Sequence, residues 1–173
     1  MITLFVSDFK HFSQDIYDRE ILRLQLWQLT CPSCGHSACL SVHGYYYRTV
    51  FTTEGVVRLR ILRVKCSCGR THAVLLSSLI PYSRVPLSDQ VQIASADSAS
   101  TAVSRMESVL PDLSEWSVRN IYKNFVRFWK QRLLSIPQVT ELSVSLVRNC
   151  FLHFKRQFLQ IHCGSNLLFF NST

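Results

Sequence analysis

The chain has 173 residues, 47% of them hydrophobic, and sets 19 Lys and Arg against 11 Asp and Glu, giving a formal net charge of +8 and a pI near 9.4. That length suits one medium domain, or two small ones of which one needs a staple, and the second reading is favoured. Seven cysteines are compatible with a secreted disulfide scaffold, but Ser7, Asp8 and Lys10 come early and no small-residue cleavage site succeeds them, which argues against a signal peptide.

No apolar run reaches the roughly 18 residues that span a bilayer, and the C-terminal candidates are interrupted by Arg148, Lys155 and Arg156. The expectation is a cytoplasmic protein in a reducing compartment, with no membrane association. The basic balance favours a polyanionic partner, DNA by default.

In chain order, residues 12–29 place Ile16, Ile21, Leu22, Leu24, Leu26 and Leu29 among charges, with Ser13 or Asp15 available as an N-cap. This reads as a helix, or a helix plus a strand, leading into a metal-binding domain. Residues 40–51 are rich in Val, Tyr, Thr and Phe, and residues 56–65 alternate apolar with basic. The intervening Thr52-Thr53-Glu54-Gly55 completes a hairpin signature. Residues 80–86 (IPYSRVP) carry two prolines and no helical period, so the domain boundary is placed there.

Beyond it the pattern turns helical: Leu87 to about Ser95, Ser98 to Leu110, a long helix from Ser114 to Leu134, and a last stretch from Glu141 to Ile161 ending near Gly164. The division expected is a lead-in over residues 1–30, a metal ribbon over 31–80, a linker over 81–86, a helical domain over 87–165 and a tail over 166–173. The fold class is therefore α+β: a small zinc-ribbon hairpin domain followed by an all-α domain.

The metal site rests on two knuckles. Cys31-Pro32-Ser33-Cys34-Gly35 is a tight turn whose Gly lets backbone amides point at sulfur, and Cys66-Ser67-Cys68-Gly69 comes after a 31-residue excursion through the hairpin. Returning strands bring such pairs together around one tetrahedral ion, so Cys31, Cys34, Cys66 and Cys68 are the expected ligands of a structural Zn2+. The second knuckle has one intervening residue instead of two, which makes His72 the alternative fourth ligand. Cys39, His36 and His43 are further candidates, each better explained as a buried small residue or a strand-end polar group. Four protein ligands leave no open position for a reacting water, so the ion is read as structural. Cys150 and Cys163 are assigned to core packing.

The chain also carries two basic surfaces. With a period of two, Val57, Leu59 and Ile61 face one side and Arg58 and Arg60 the other; Arg63 and Lys65 resume the pattern after a slip at Leu62, and Arg48 joins from the partner strand. In the long helix, Asp112-Leu113-Ser114-Glu115 resembles a capping box. Ile121, Phe125, Phe128, Trp129 and Leu133 form an apolar stripe, while Arg119, Lys123, Arg127 and Lys130 share another face. Preceded by a shorter helix and a break at Pro111, this fits the second helix of a helix-turn-helix. Glu115, Ser117, Val118 and Arg119 are then expected near base edges, with Lys123 and Arg127 near phosphates.

The segments CPSCGHSACLSVHGYYYR and RLRILRVKCSCGRTHAVLLSSLIPY resemble a family of uncharacterised bacterial proteins associated with mobile elements, over about residues 28–90. Similar zinc ribbons precede the helix-turn-helix and catalytic domains of several insertion-sequence transposases. The resemblance implies DNA binding at element ends, with Cys31, Cys34, Cys66 and Cys68 at the ribbon's ligand positions.

Those transposases continue into an RNase-H-like domain with three metal-holding carboxylates. In this chain the acids after the ribbon are Asp89, Asp97, Glu107, Asp112, Glu115 and Glu141, in helical or loop contexts that form no such triad, and a truncated reading frame would also suit the C-terminus. The function expected is a non-catalytic, zinc-dependent DNA-binding module or regulator. The alternative is an adaptor whose ribbon docks a transposase or polymerase-type partner, favoured by the run Tyr45-Tyr46-Tyr47.

Overall fold

The structure, a computed structural model, describes residues 1–6, 12–130 and 143. They form two compact units: Met1–Val50 with Val56–Ser77, and Phe51–Gly55 with the described residues from Ser78 onward. The architecture is α+β, a four-stranded sheet carrying a cysteine cluster and then three helices.

The first unit contains β1 (Ile2–Leu4), α1 (Gln14–Leu22), a short 3-10 turn (Leu26–Gln28), most of β2 (Leu40–Thr52) and β3 (Gly55–Cys66), and β4 (Thr71–Leu76). The strand order is β1-β4-β3-β2. β3 and β4 run antiparallel, with Arg63 opposite Ala73 and Lys65 opposite Thr71, because the Cys66–Arg70 turn sends the chain straight back. β1 adds in parallel to β4, pairing Ile2 with Val74.

Ser13 caps α1, its hydroxyl accepting from the Ile16 N–H at 3.2 Å. The helix brings a fully buried phenol to the sheet: Tyr17 accepts from the Leu62 N–H at 2.9 Å and donates to the Val74 carbonyl at 2.8 Å. Gln14 binds both backbone groups of Arg60 in the same way, accepting from its N–H and donating to its carbonyl. The lead-in is thus bound into the first unit. Leu62, Val64, Cys66, Cys31, Leu40, Val74 and Ile2 form its buried cluster, with Ile21, Leu24, Leu26 and Leu29 packed against them.

Apart from the hairpin tip Phe51–Gly55, the second unit begins at Ser78, within the stretch expected to belong to the ribbon. Residues 81–86 are not a free linker: Ser83, Val85 and Pro86 are buried, and the Phe51 N–H donates to the Arg84 carbonyl at 2.9 Å. Helices α2 (Leu87–Ala94), α3 (Ala99–Val109) and α4 (Glu115–Asn124) pack on one another around Val85, Ile93, Ala102, Met106, Leu110, Val118 and Ile121.

Their ends lie where local chemistry puts them. Ser98 and Ser114 are N-caps, accepting from Thr101 and Ser117 at 3.1 and 3.3 Å, and Pro111 interrupts between α3 and α4. After Asn124 the helix continues through a π turn over Phe125–Trp129. The expected helix over 141–161, Leu133 of the apolar stripe, Cys150, Cys163 and the tail lie outside the described residues.

Candidate functional site

The thiols of Cys31, Cys34, Cys39 and Cys66 all lie within 4.8 Å of one another, a group that could hold a metal ion. Cys34 and Cys66 are 3.6 Å apart at sulfur, and Cys39 and Cys66 are 3.2 Å apart. A tetrahedral ion with metal–sulfur bonds near 2.3 Å requires sulfurs about 3.8 Å apart, so the cluster needs only small adjustments to close on one. Four thiols and no carboxylate make a soft donor set, which suits zinc and disfavours magnesium or calcium.

Local folding explains how three of these residues arrive. In the first knuckle the Gly35 N–H donates to the Cys31 carbonyl at 2.9 Å with Gly35 at φ +75°, and the Cys31 N–H donates to the His36 carbonyl at 2.9 Å. In the second, Gly69 takes φ +85°, and the Cys68 N–H donates to the Cys66 sulfur at 3.4 Å. Cys39 is reached differently. Ala38 adopts a left-handed φ of 55°, and the Ser67 N–H donates to the Cys39 carbonyl at 3.0 Å, which ties the start of β2 to the second knuckle.

Burial, backbone amides and neighbouring thiols together set the thiols' acidities. At Cys31 burial opposes ionisation, but the amides of Ser33 and Cys34 prevail and bring it to about 7. At Cys66 the Cys68 amide is the largest influence; it prevails over burial and brings the thiol to about 6. Cys34 is raised: the His36 amide favours its thiolate, but burial and the Cys66 and Cys31 thiols together outweigh it. Cys39 is raised first by its hydrogen bond with Cys66 and then by burial.

Of the expected ligands, Cys31, Cys34 and Cys66 belong to this group, while Cys68 and His72 lie beside it. Cys68 is exposed, and although the Arg70 amide favours its thiolate, the Cys66 thiol and burial push it up to about 11. His72 is buried, with Nε2 at 3.3 Å from the Cys31 sulfur and Nδ1 at 3.0 Å from the Met1 amine. In a metal-loaded site that contact is of the outer-shell kind that orients a ligand. His36 and His43 are exposed and outside the group. Cys39 takes the fourth place, and no spacing motif marks it, since the approach depends on a left-handed turn and a cross-loop hydrogen bond.

The hairpin cations occupy distinct environments. Arg58 and Arg60 are exposed, their guanidinium groups lying 4.2 Å from the Tyr47 ring centroid and 4.7 Å from that of Tyr45. Ile61 and Leu62 are both buried, so the alternation breaks at Leu62, after which Lys65 is exposed and Arg63 half-buried with a hydrogen bond to the Thr71 hydroxyl at 3.1 Å. Arg48 does not join an exposed stripe: it is half-buried, and desolvation lowers its pKa while Tyr46 partly offsets this.

On α4 and its continuation, Lys123, Arg127 and Lys130 are exposed, but Val118 is buried at 1% exposure and cannot approach a base. Val118 stands three residues before Ile121, which places it on the apolar stripe. Arg119 is ion-paired to Glu115 at 2.6 Å, and Ser117 is half-buried with its amide on the Ser114 cap. Glu115 therefore serves that pair and not a capping box. Phe125 is buried and Phe128 half-buried, with Arg127 at 5.0 Å from the Phe128 ring centroid.

No helix among the described residues is long and apolar enough to cross a membrane. No curated protein and no solved structure matches the chain. Residues 31–112, from the first cysteine of the cluster to the turn before α4, match the model of a family described as a domain of unknown function (DUF6431).

Proposed function

We propose that this protein is a non-catalytic, zinc-dependent DNA-binding protein, a recognition module or regulator of the kind carried by mobile elements. The observation that carries this reading is α4 and its continuation: Lys123, Arg127 and Lys130 stand exposed, without acidic partners among the described residues, on a helix whose opposite stripe is anchored through Val118, Ile121 and Phe125. Zinc held by Cys31, Cys34, Cys39 and Cys66 would fix the ribbon, and Arg58 and Arg60 on the hairpin supply further phosphate-binding charge. With all four thiols committed, the ion has no open position for catalysis.

The test is binding to random duplex as a function of salt. Phosphate contacts by Lys123, Arg127 and Lys130 alone give a slope near −2.7 in log affinity against log salt, a loss of about 40-fold between 50 and 200 mM, and contacts by the hairpin arginines steepen it further. Replacing Lys123 and Arg127 together by Ala should flatten the slope by about two. Undetectable binding at low salt would sink the reading.

A second reading, a ribbon adaptor for a transposase or polymerase-type protein, is favoured by Val42, Tyr45, Tyr47 and Val56, each more than half exposed along the hairpin. Under it, Tyr45→Ala and Tyr47→Ala would abolish a protein contact and leave the salt dependence on DNA unchanged.

A further inference from the structure

The second unit contains a cavity of about 400 Å³ at the start of α4, large enough for one nucleotide. Tyr82, Arg84, Asp112, Trp116, Ser117 and Asn120 are among its lining residues. Two of these are large rings left mostly to water: Trp116 is 73% exposed and Tyr82 71%. Burying such rings is normally a principal source of stability, so two of them exposed at one cavity leave apolar surface available to a ligand.

Tyr82 also holds a left-handed φ of 62°, a conformation costly for an aromatic residue and one that holds this ring at the cavity. The remaining polar wall is varied. Arg84 offers an exposed guanidinium, Asn120 both an amide donor and an acceptor, Ser117 a hydroxyl and Asp112 a carboxylate.

We infer that this cavity receives one unpaired base of DNA, stacked on Trp116 and Tyr82, with its edge read by Asn120, Ser117 and Asp112 and its phosphate held by Arg84. Stacking uses the π-face that every base possesses, the amide and carboxylate match exocyclic amino groups and ring nitrogens, and the guanidinium matches phosphate. The cationic continuation of α4 supplies the charge complementarity that favours nucleic acid over a peptide. The inference rests on the DNA-binding reading and adds to it a preference for distorted or locally single-stranded sites. A paired base must first be extruded, whereas a bulged one is presented without that cost.

The experiment compares the zinc-loaded full chain on two duplexes, one fully paired and one with a single bulged adenosine. The bulged duplex should bind roughly tenfold tighter, and Trp116→Ala should remove that preference while leaving the fully paired affinity and its salt slope unchanged. Tyr82→Gly should do the same while relaxing the strained backbone, so loss of folding does not mimic the result.

In parallel, deoxyadenosine monophosphate should quench tryptophan fluorescence saturably in the wild type and not in Trp116→Phe. That quenching supports the cavity assignment even if duplex binding fails, which separates the two readings. Equal affinity for both duplexes, or a preference that survives Trp116→Ala, overturns the inference. Equivalent quenching by an aromatic dipeptide without duplex discrimination overturns it also, and assigns the cavity to peptide.

Discussion

The sulfur of Cys39 lies 3.2 Å from that of Cys66, 27 residues further along the chain, and the hydrogen bond from the Ser67 amide to the Cys39 carbonyl fixes that approach. It decides which cysteine completes the tetrad. Cys68 contributes its backbone amide to Cys66, a contact that any residue other than proline keeps. Cys39→Ala should therefore lower zinc affinity by more than the roughly 10–100-fold that loss of an outer hydrogen-bonding partner costs, whereas Cys68→Ala should stay within about tenfold of wild type. Competition against a chromophoric chelator measures both, and a larger loss for Cys68→Ala would reverse the assignment.

Proton release gives an independent measure of the same site. Cys34 and Cys39 sit above the ordinary thiol value and are protonated at neutral pH, while Cys66, at about 6, is mostly ionised and Cys31, at about 7, is half so. A tetrathiolate must expel the remaining protons, so affinity rises with pH: roughly two to three protons leave near pH 7, about a 100-fold or greater gain per pH unit. Calorimetry in buffers of different ionisation enthalpy counts them directly. A pH-independent affinity between 6 and 8 would mean that thiols are not the ligands.

Much of this arrangement is legible in the sequence because its causes are local. Gly55 closing the hairpin, Ser98 and Ser114 starting helices, and Pro111 interrupting between them each act over a few residues. The knuckle glycines at 35 and 69 announce turns that aim amides at sulfur. What is not legible depends on distant partners. The parallel addition of β1 to β4 joins the first residues to the seventies, and nothing near Ile2 or Val74 encodes it. Cys39 is hidden for the same reason, since Ser67 draws it in. For Val118 the signal is legible but removes it from any base contact: it stands three residues before Ile121, and that spacing places it in the core.

Tyr17 is the test of how the lead-in is held. Its hydroxyl bridges the Leu62 amide and the Val74 carbonyl, and burial is the main influence raising its pKa, so it remains a neutral donor and acceptor throughout the working pH range. Tyr17→Phe keeps the ring's packing but strands a buried N–H and a buried carbonyl, which should cost about 2 kcal/mol. Urea unfolding of the zinc-loaded protein would read this, with metal stoichiometry unchanged because the phenol is not a ligand. A change below about 0.5 kcal/mol would show that water replaces the hydroxyl.

Asp89 provides a stability prediction with a defined sign. Burial in the first turn of α2 raises its carboxyl from 3.8 to about 6, so between those values the folded protein binds more protons than the unfolded chain. Stability from this group is therefore fully present below pH 3.8 and declines as pH rises through 6, leaving an ionised, poorly hydrated carboxylate at neutral pH. The side chain is only partly buried, and solvent screening reduces the cost to about 1 kcal/mol. Asp89→Asn removes the charge and keeps an acceptor near the helix N-terminus. It should exceed wild type in stability by about that amount at pH 7 and converge with it near pH 4. Taking the difference between variant and wild type at each pH cancels any acid-dependent change in the cysteine cluster, which affects both proteins alike. Denaturant melts across pH 4–7 would show the divergence, and a constant difference would mean that packing, not ionisation, sets the effect.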